Sequence, residues 1–268
     1  MTDNVLSERR DRAFVVTINR PDVRNCVDGE TAQGLFEAVD AFRKDDTLDV
    51  LILTGAGGPS TGSGQAAFCA GADLKNIGTL ATRPGRRETG YMGISLITDL
   101  RKPTIAAVNG YCDAGGLELA CWCDFRIAAA NAQFGILNRR WGVPLIDGGT
   151  QRLQRIVGLG NALYLIETGA QLNAQQALRF GLVQEVVPEG QALARALEIA
   201  ATLSTYPQTA MRNDRQAVLE GLALPLDEGL ALEARIHHES ATPEGPDVNE
   251  RLAKFAAGDR PKPITPVE

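Results

Sequence analysis

Short apolar runs alternate with helical patterns along the first two thirds of the chain. Residues 13–18 form a β-branched and aromatic run, and residues 50–54 form a continuously apolar run that stops at Gly55, so both predict strands. Between them, residues 31–43 repeat apolar side chains at helical spacing and predict a helix. A strand without polar positions is buried on both faces, which requires helices packed over a sheet. The pattern therefore predicts an α/β fold.

The same alternation continues towards the middle of the chain. Residues 104–108 predict another strand, residues 117–123 a helix that follows a glycine turn, and residues 132–134 a short extended segment. Residues 148–150 open a further helix. A Gly- and Ser-rich segment at 57–64 predicts a surface loop.

The character of the sequence changes after about residue 185. Three later segments are rich in alanine and leucine and have helical periodicity: 192–203, 208–222 and 226–238. We therefore expect an α/β core over residues 1–185 and a helical region over 186–268 that is not an independent domain. The proline-rich tail from residue 258 is expected to be non-helical and loosely held.

Composition and charge narrow the class of protein. The 268 residues are 44% hydrophobic and 22% charged, which is ordinary for a globular chain with an ample core. The chain has 27 basic and 33 acidic residues, so it lacks the excess of positive charge that is typical of nucleic-acid-binding proteins. The N-terminus has no signal pattern and no apolar run is long enough to span a membrane, so we expect a cytoplasmic protein without membrane partners.

Cysteine and histidine usage excludes several chemistries. The five cysteines lack the spacing of disulfide frameworks or zinc sites, which favours a reducing compartment and no metal. The two histidines are neighbours, His237 and His238, in a helical stretch. A Ser-His-Asp or Cys-His arrangement needs a histidine oriented by a partner, so we expect neither.

Two turns of small residues are the most informative feature. Segment 67–74 reads AFCAGADL, and segment 108–118 reads VNGYCDAGGLE. In each, small residues follow an apolar strand, so main-chain N–H groups can point outward without a side chain in the way. Two such turns facing each other would bind an oxyanion from both sides, which predicts a site that stabilises an enolate.

Together with four other segments, the two turns resemble the crotonase (enoyl-CoA hydratase/isomerase) superfamily over nearly the whole chain. The other matching segments are 18–25, 50–55, 142–153 and 177–183. The resemblance implies a ClpP/crotonase-like α/β fold, with repeated ββα units around a core sheet and a C-terminal helical annex. It also implies a homotrimer or a hexamer made of two trimers.

The resemblance assigns the oxyanion donors and one acid. The donors would be the backbone N–H groups of Ala72 and Gly115. Glu118, one turn into the following helix, matches the first of the family's two hydratase glutamates, and an apolar pocket would raise its pKa. Alternatively, Glu118 is a helix-start glutamate favoured by the helix dipole.

Two further positions carry open alternatives. Asn138 stands where hydratases of the family have the second glutamate, and an amide cannot accept and return a proton. Asp147 lies one position after the residue, here Ile146, that matches an aspartate used by some superfamily members. Asp147 is therefore either a catalytic assistant or the N-cap of the helix that follows.

The resemblance also places the coenzyme A part of the substrate. Arg24 and Lys75 match basic positions that contact its phosphates in relatives, although each is equally compatible with a solvated surface charge. Ala70, Asp73 and Leu74 would form the main-chain rim for the adenine.

The implied function is an enoyl-CoA hydratase acting through an enolate. It requires neither metal nor redox cofactor, because coenzyme A enters as part of the substrate. One alternative is an enoyl-CoA isomerase that uses a single carboxylate. The other is an acyl-CoA-binding protein without turnover.

Overall fold

The computed structural model describes residues 3–57, 66–240, 246–259 and 263–267. The predicted loop at 57–64 lies outside these residues except for Gly57. Two sheets organise the fold, one with six strands and one with four. In spatial order, the larger sheet contains Val5–Arg10 (β1), Ala13–Ile18 (β2), Val50–Gly55 (β3), Thr104–Val108 (β5), Phe125–Ala129 (β7) and Glu185–Val187 (β10). The smaller contains Ala67–Cys69 (β4), Tyr111–Asp113 (β6), Gln133–Gly135 (β8) and Gln171–Asn173 (β9).

Parallel pairing dominates both sheets. Only the edge pairs β1·β2 and β8·β9 are antiparallel among the described strands. Successive strands β3 and β4, then β5 and β6, then β7 and β8, each supply one strand to the larger sheet and one to the smaller. Helices follow each pair, so the repeated ββα unit implied by the resemblance is present.

The six predicted helices are present to within a few residues, and the described part of the chain contains five further helices that were not predicted. The longer ones are Gly29–Lys44 (α1), Gly115–Trp122 (α4), Gly149–Val157 (α5), Leu159–Thr168 (α6), Ala192–Leu203 (α8), Gln208–Gly221 (α9), Leu226–Ser240 (α10) and Pro246–Ala256 (α11). The shorter ones are Ile77–Thr82 (α2), Arg86–Thr89 (α3) and Ala174–Arg179 (α7). Helix α1 begins before the predicted residue 31 because the Asp28 side chain caps it, accepting the Thr31 N–H at 2.9 Å.

Both faces of the larger sheet are covered, as its uninterrupted apolar strands predict. Leu51 and Leu53 of β3 belong to one buried cluster with Phe42 of α1. Val50 and Ile52 belong to a second cluster with Ala196 of α8. Successive residues of a strand point to opposite faces, so β3 contributes to both clusters. Helix α8, although it lies beyond residue 185, therefore covers the sheet.

Helix α9 is attached to this core by ion pairs. On α9, Arg212 pairs with the fully buried Asp49 at 3.0 Å, and Arg215 pairs with Asp124 at 2.8 Å. Residues 263–267 of the tail are non-helical, as predicted. Ile264 packs against the α8 cluster, and the carbonyl of Thr265 accepts a 2.8 Å hydrogen bond from the Arg195 side chain. Among the described helices, none combines the length and apolar character needed to cross a bilayer.

Candidate active site

A cavity of about 550 Å³ lies where β4 and β6 of the smaller sheet end. Its walls come from both glycine turns, from α4, from the 3-10 helix Leu137–Trp141 and from the loop before α5. All ten residues predicted for the site line this one cavity: Arg24, Ala70, Ala72, Asp73, Leu74, Lys75, Gly115, Glu118, Asn138 and Asp147.

The first turn leaves the Ala72 amide out of main-chain pairing. Val27 donates to the Gly71 carbonyl and accepts from the Asp73 N–H, both at 2.8 Å, in a parallel bridge centred on Ala72. Such a bridge uses the carbonyl before and the amide after its central residue. The N–H of Ala72 is therefore not used by the bridge that holds the turn.

The second turn leads directly into α4. Ala114 has a left-handed φ of 51°, rare for a residue with a side chain, and its N–H donates to the Gly135 carbonyl at 2.8 Å. Gly115 is the first residue of the helix, where N–H groups have no intrahelical acceptor and the helix dipole is positive. The Gly115 amide is thus suited to a negatively charged oxygen.

Glycines bring the two turns into contact. A Cβ added to Gly71, whose φ is +99°, would lie 3.0 Å from the Gly115 nitrogen. A Cβ added to Gly116 would collide with the Cys69 carbonyl at the end of β4. The structure therefore places the Ala72 and Gly115 segments side by side on one cavity.

Glu118 is 4% exposed and is held by main-chain donors. Its Oε1 accepts the N–H groups of Asp147 at 2.9 Å and Gly149 at 2.8 Å. Burial is the main reason that the pKa of Glu118 is raised to about 7, and the nearby Asp147 carboxyl adds to it, whereas the two N–H donors and Arg152 oppose it. A carboxyl with this pKa can both accept and donate a proton near neutral pH.

Asp147 is not a helix cap, and that interpretation is wrong. The N-cap of α5 is Gly148, and no side chain caps the helix. Instead, the buried Asp147 carboxyl accepts the Met92 N–H at 3.0 Å and a hydrogen bond from the Ser95 hydroxyl. Its own N–H donates to the Glu118 carboxylate, so Asp147 connects segment 92–95 to Glu118 on α4. Nothing in the sequence pattern pointed to these two partners.

Asn138 is buried in the 3-10 helix, and only the nitrogen of its side-chain amide is hydrogen-bonded within the described chain. Its Nδ2 donates to the Val143 carbonyl at 2.7 Å. Its Oδ1 is buried without a hydrogen-bond partner in the described part of the chain. Asn138 thus leaves one acceptor without a protein donor at the cavity wall.

Of the residues predicted to contact coenzyme A, Asp73 is held by an ion pair, whereas Arg24 and Lys75 are exposed. The carboxyl of Asp73 pairs with Arg20 at 3.0 Å. Burial opposes ionisation of Asp73, but hydrogen bonds from Asn76 and Arg20 outweigh it and lower its pKa. Arg24 is exposed, and its guanidinium lies 4.8 Å from the Tyr111 ring centre. Lys75 is exposed at the cavity rim.

Sequence reasoning also missed Asp113, the last residue of β6, which lines the cavity and is 5% exposed. The available signal was a carboxylate directly before the second glycine turn, where the flanking residues are small or apolar. Over residues 3–57, 66–240, 246–259 and 263–267, no cluster of three or more His, Cys, Asp or Glu residues is placed to hold a metal.

Comparison with known proteins gives consistent results. A sequence model of the enoyl-CoA hydratase/isomerase family matches residues 8–257. The crotonyl-CoA hydratase of Syntrophomonas wolfei is 38% identical over 235 residues, which cover 87% of each chain. The short-chain-enoyl-CoA hydratase of Clostridium acetobutylicum is 36% identical over 245 residues, which cover 90% of this chain and 91% of that one.

The fold expectation is confirmed by a solved structure. An enoyl-CoA hydratase from Mycobacterium marinum superimposes with a TM-score of 0.86 and 32% identity, covering 97% of this chain and 98% of that one. Since the sequence match, the glycine turns and the fold agree, the chain belongs to the enoyl-CoA hydratase/isomerase family.

Proposed function

We propose that the protein is an enoyl-CoA hydratase-like lyase that acts on acyl-CoA thioesters through an enolate. The observation that carries the proposal is the contact between the two glycine turns, which brings the amides of Ala72 and Gly115 to one cavity beside Glu118. Relatives named as crotonyl-CoA and short-chain-enoyl-CoA hydratases support the substrate class.

In this proposal the thioester oxygen accepts hydrogen bonds from the amides of Ala72 and Gly115. Water adds its oxygen to the β-carbon of the conjugated thioester, and electron density moves to the thioester oxygen as an enolate. Glu118 takes a proton from the water and delivers a proton to the α-carbon, which completes the hydration and returns Glu118 to its starting state. Donors already oriented towards a developing oxyanion contribute on the order of 3 kcal/mol each to lowering the barrier.

Asp147 acts as an assistant in the proposed reaction. Its carboxyl fixes segment 92–95, and its main-chain N–H helps to orient the Glu118 carboxylate. The reaction neither oxidises nor reduces the substrate, so we assign it no redox cofactor or metal. Coenzyme A enters as part of the substrate, with its phosphates near Arg24 and Lys75 and its adenine near the rim formed by Ala70, Asp73 and Leu74.

A second candidate is an enoyl-CoA isomerase that moves one proton with Glu118 alone. Asn138 favours it, because its Nδ2 is committed to the Val143 carbonyl and an amide cannot exchange protons.

Incubation with crotonyl-CoA, followed by loss of the conjugated-thioester absorbance and mass spectrometry of the product, tests the choice. Hydration predicts loss of absorbance, a product heavier by one water, and a large reduction of both in Glu118→Gln. No hydrated product from crotonyl-CoA, together with conversion of a β,γ-enoyl-CoA into the conjugated thioester, would instead identify an isomerase. Binding of acyl-CoA without any product would identify a binding protein.

We also infer a homotrimer or hexamer in the cytoplasm. Large apolar side chains that are more than half exposed on and beside α9 and α10 support assembly through these helices: Val218, Leu222, Leu226 and Leu230. The five cysteines are free, which is compatible with a reducing compartment. Sedimentation velocity should show a species of three or six chains, and a monomer at micromolar concentration would contradict the assembly.

A further inference from the structure

The side chain of Met92 lies against the residue that supplies the second oxyanion amide. Met92 is 2% exposed and lines the cavity. A Cβ added to Gly115 would lie 2.8 Å from the Sδ of Met92, 3.1 Å from its Cε and 3.4 Å from its Cγ. The thioether end of Met92 therefore fills the space directly beside the Cα of Gly115.

This space is on the side of Gly115 at which a bound oxygen would lie. Gly115 is the first residue of α4. In a helix, both the N–H groups and the Cα–Cβ bonds point towards the N-terminal end. Atoms packed against the Cβ position of the first residue therefore flank an oxygen that accepts a hydrogen bond from its N–H.

The backbone that carries Met92 is fixed from two sides. Its N–H donates to the Asp147 carboxyl at 3.0 Å. A Cβ added to the next residue, Gly93, would collide with the carbonyl of Ala32, so the segment is in contact with α1. The backbone position is thus set, and the space left beside Gly115 depends on the Met92 side chain. Because methionine is unbranched and adaptable, we expect it to narrow the cavity rather than to close it.

We propose that Met92 is a specificity-determining residue that favours thioesters without a branch at the α-carbon, the carbon bonded to the thioester carbonyl. The α-carbon lies about 2.4 Å from the carbonyl oxygen. A methyl group on this carbon therefore competes with the Met92 thioether for the space beside Gly115. The inference rests on the proposed function for the position of the thioester oxygen, and it specifies which acyl groups the same site prefers.

Butyryl-CoA and isobutyryl-CoA test the proposal, because they contain the same atoms and differ only in a branch at the α-carbon. Both are saturated and cannot be hydrated, so their binding is measured by calorimetric titration. Met92→Ala removes Cγ, Sδ and Cε, the three atoms beside Gly115. Met92→Val removes less buried volume and repeats the test in a more stable variant. Ile94→Ala is the matched control, because Ile94 is fully buried two residues away and belongs to the core rather than to the cavity wall.

The wild type and Ile94→Ala should bind butyryl-CoA about tenfold more tightly than isobutyryl-CoA, which is the size of effect that one misplaced methyl group has in an apolar pocket. Met92→Ala should bind the two thioesters about equally, and Met92→Val should fall between. Equal binding of both thioesters by the wild type, or an unchanged preference in Met92→Ala and Met92→Val, would overturn the proposal. So would an equal loss of preference in Ile94→Ala, since that loss would reflect a general loosening of the fold.

The readout also separates this inference from the proposed reaction. The expected preference without hydration of crotonyl-CoA would refute only the proposed reaction. Hydration of crotonyl-CoA by a wild type without the preference would refute only the role of Met92.

Discussion

The two walls of the cavity differ in whether the protein supplies hydrogen-bond partners for their buried oxygen atoms. On the α4 and α5 wall, the carboxyls of Glu118 and Asp147 receive hydrogen bonds from N–H and hydroxyl groups of neighbouring segments. On the wall formed by β6 and the 3-10 helix, Asp113 and Asn138 each have an oxygen without a partner in the described chain. The first wall is pre-organised by the protein, as catalysis requires, whereas the second holds two buried acceptors that the described chain leaves unpaired.

The largest effect is expected at the pre-organised wall. Glu118→Gln keeps the shape and an acceptor for the N–H groups of Asp147 and Gly149 but cannot exchange a proton. We expect the hydration rate to fall by about 10²- to 10⁴-fold with little change in acyl-CoA affinity, measured by steady-state kinetics and titration. Activity within threefold of the wild type would remove Glu118 from the mechanism.

The contact between the two turns comes next. Gly71→Ala places a Cβ 3.0 Å from the Gly115 nitrogen and adds strain at a φ of +99°, so we expect turnover to fall by about 10²- to 10³-fold. Gly190→Ala is the matched control, because its φ is +82° and nothing lies within 4 Å of the added Cβ. It should lower stability by about 1–2 kcal/mol and leave turnover unchanged. Equal turnover in the two variants would show that the turns do not act together.

A smaller effect is expected at Asp147, where a comparison of two variants distinguishes a positioning role from proton transfer. Asp147→Asn keeps an acceptor for Met92 and Ser95, whereas Asp147→Ala leaves both donors without one. If Asp147 acts by fixing this segment, the alanine variant loses about 1–3 kcal/mol of stability and about tenfold in rate, and the asparagine variant keeps most of both. Chemical denaturation and kinetics of the two variants test this. A rate loss of equal size in both would instead assign Asp147 a role as an ionised group.

The smallest effect on turnover is expected at the other wall, where the prediction concerns the dependence of stability on pH. The folded-state pKa of Asp113, about 7, lies above its ordinary value of 3.8, so the unfolded chain ionises first. Between these values the folded state binds more protons, and its contribution to stability falls as the pH rises through 7. Asp113→Asn should therefore gain up to roughly 4 kcal/mol relative to the wild type between pH 4 and pH 8 in urea unfolding. A difference that stays constant with pH would contradict a raised pKa.

The sequence predicted the scaffold well because periodicity reports burial directly. The uninterrupted run in β3 indicated a sheet covered on both faces, and β3 does contribute to two separate buried clusters. The short spacing from Gly115 to Glu118 placed that acid on the cavity because a helix fixes its residues relative to its start. Edge strand β1 was missed, since its burial pattern is mostly exposed and carries little apolar alternation.

The rest of the site depends on contacts between residues distant in sequence, which no local pattern encodes. Asp147 looked like a cap because it precedes a helix, yet its carboxyl is taken by residues more than fifty positions earlier. The raised pKa of Asp113 results from its burial among β6, β8 and the 3-10 helix. That burial depends on how the smaller sheet is assembled, which no local pattern encodes.

The most direct test of the account is a crystal structure with a bound saturated acyl-CoA, read as two distances from the thioester oxygen. We predict that this oxygen lies about 2.8–3.2 Å from both the Ala72 and the Gly115 nitrogens. An oxygen that reaches neither nitrogen, or only one of them, would contradict the account.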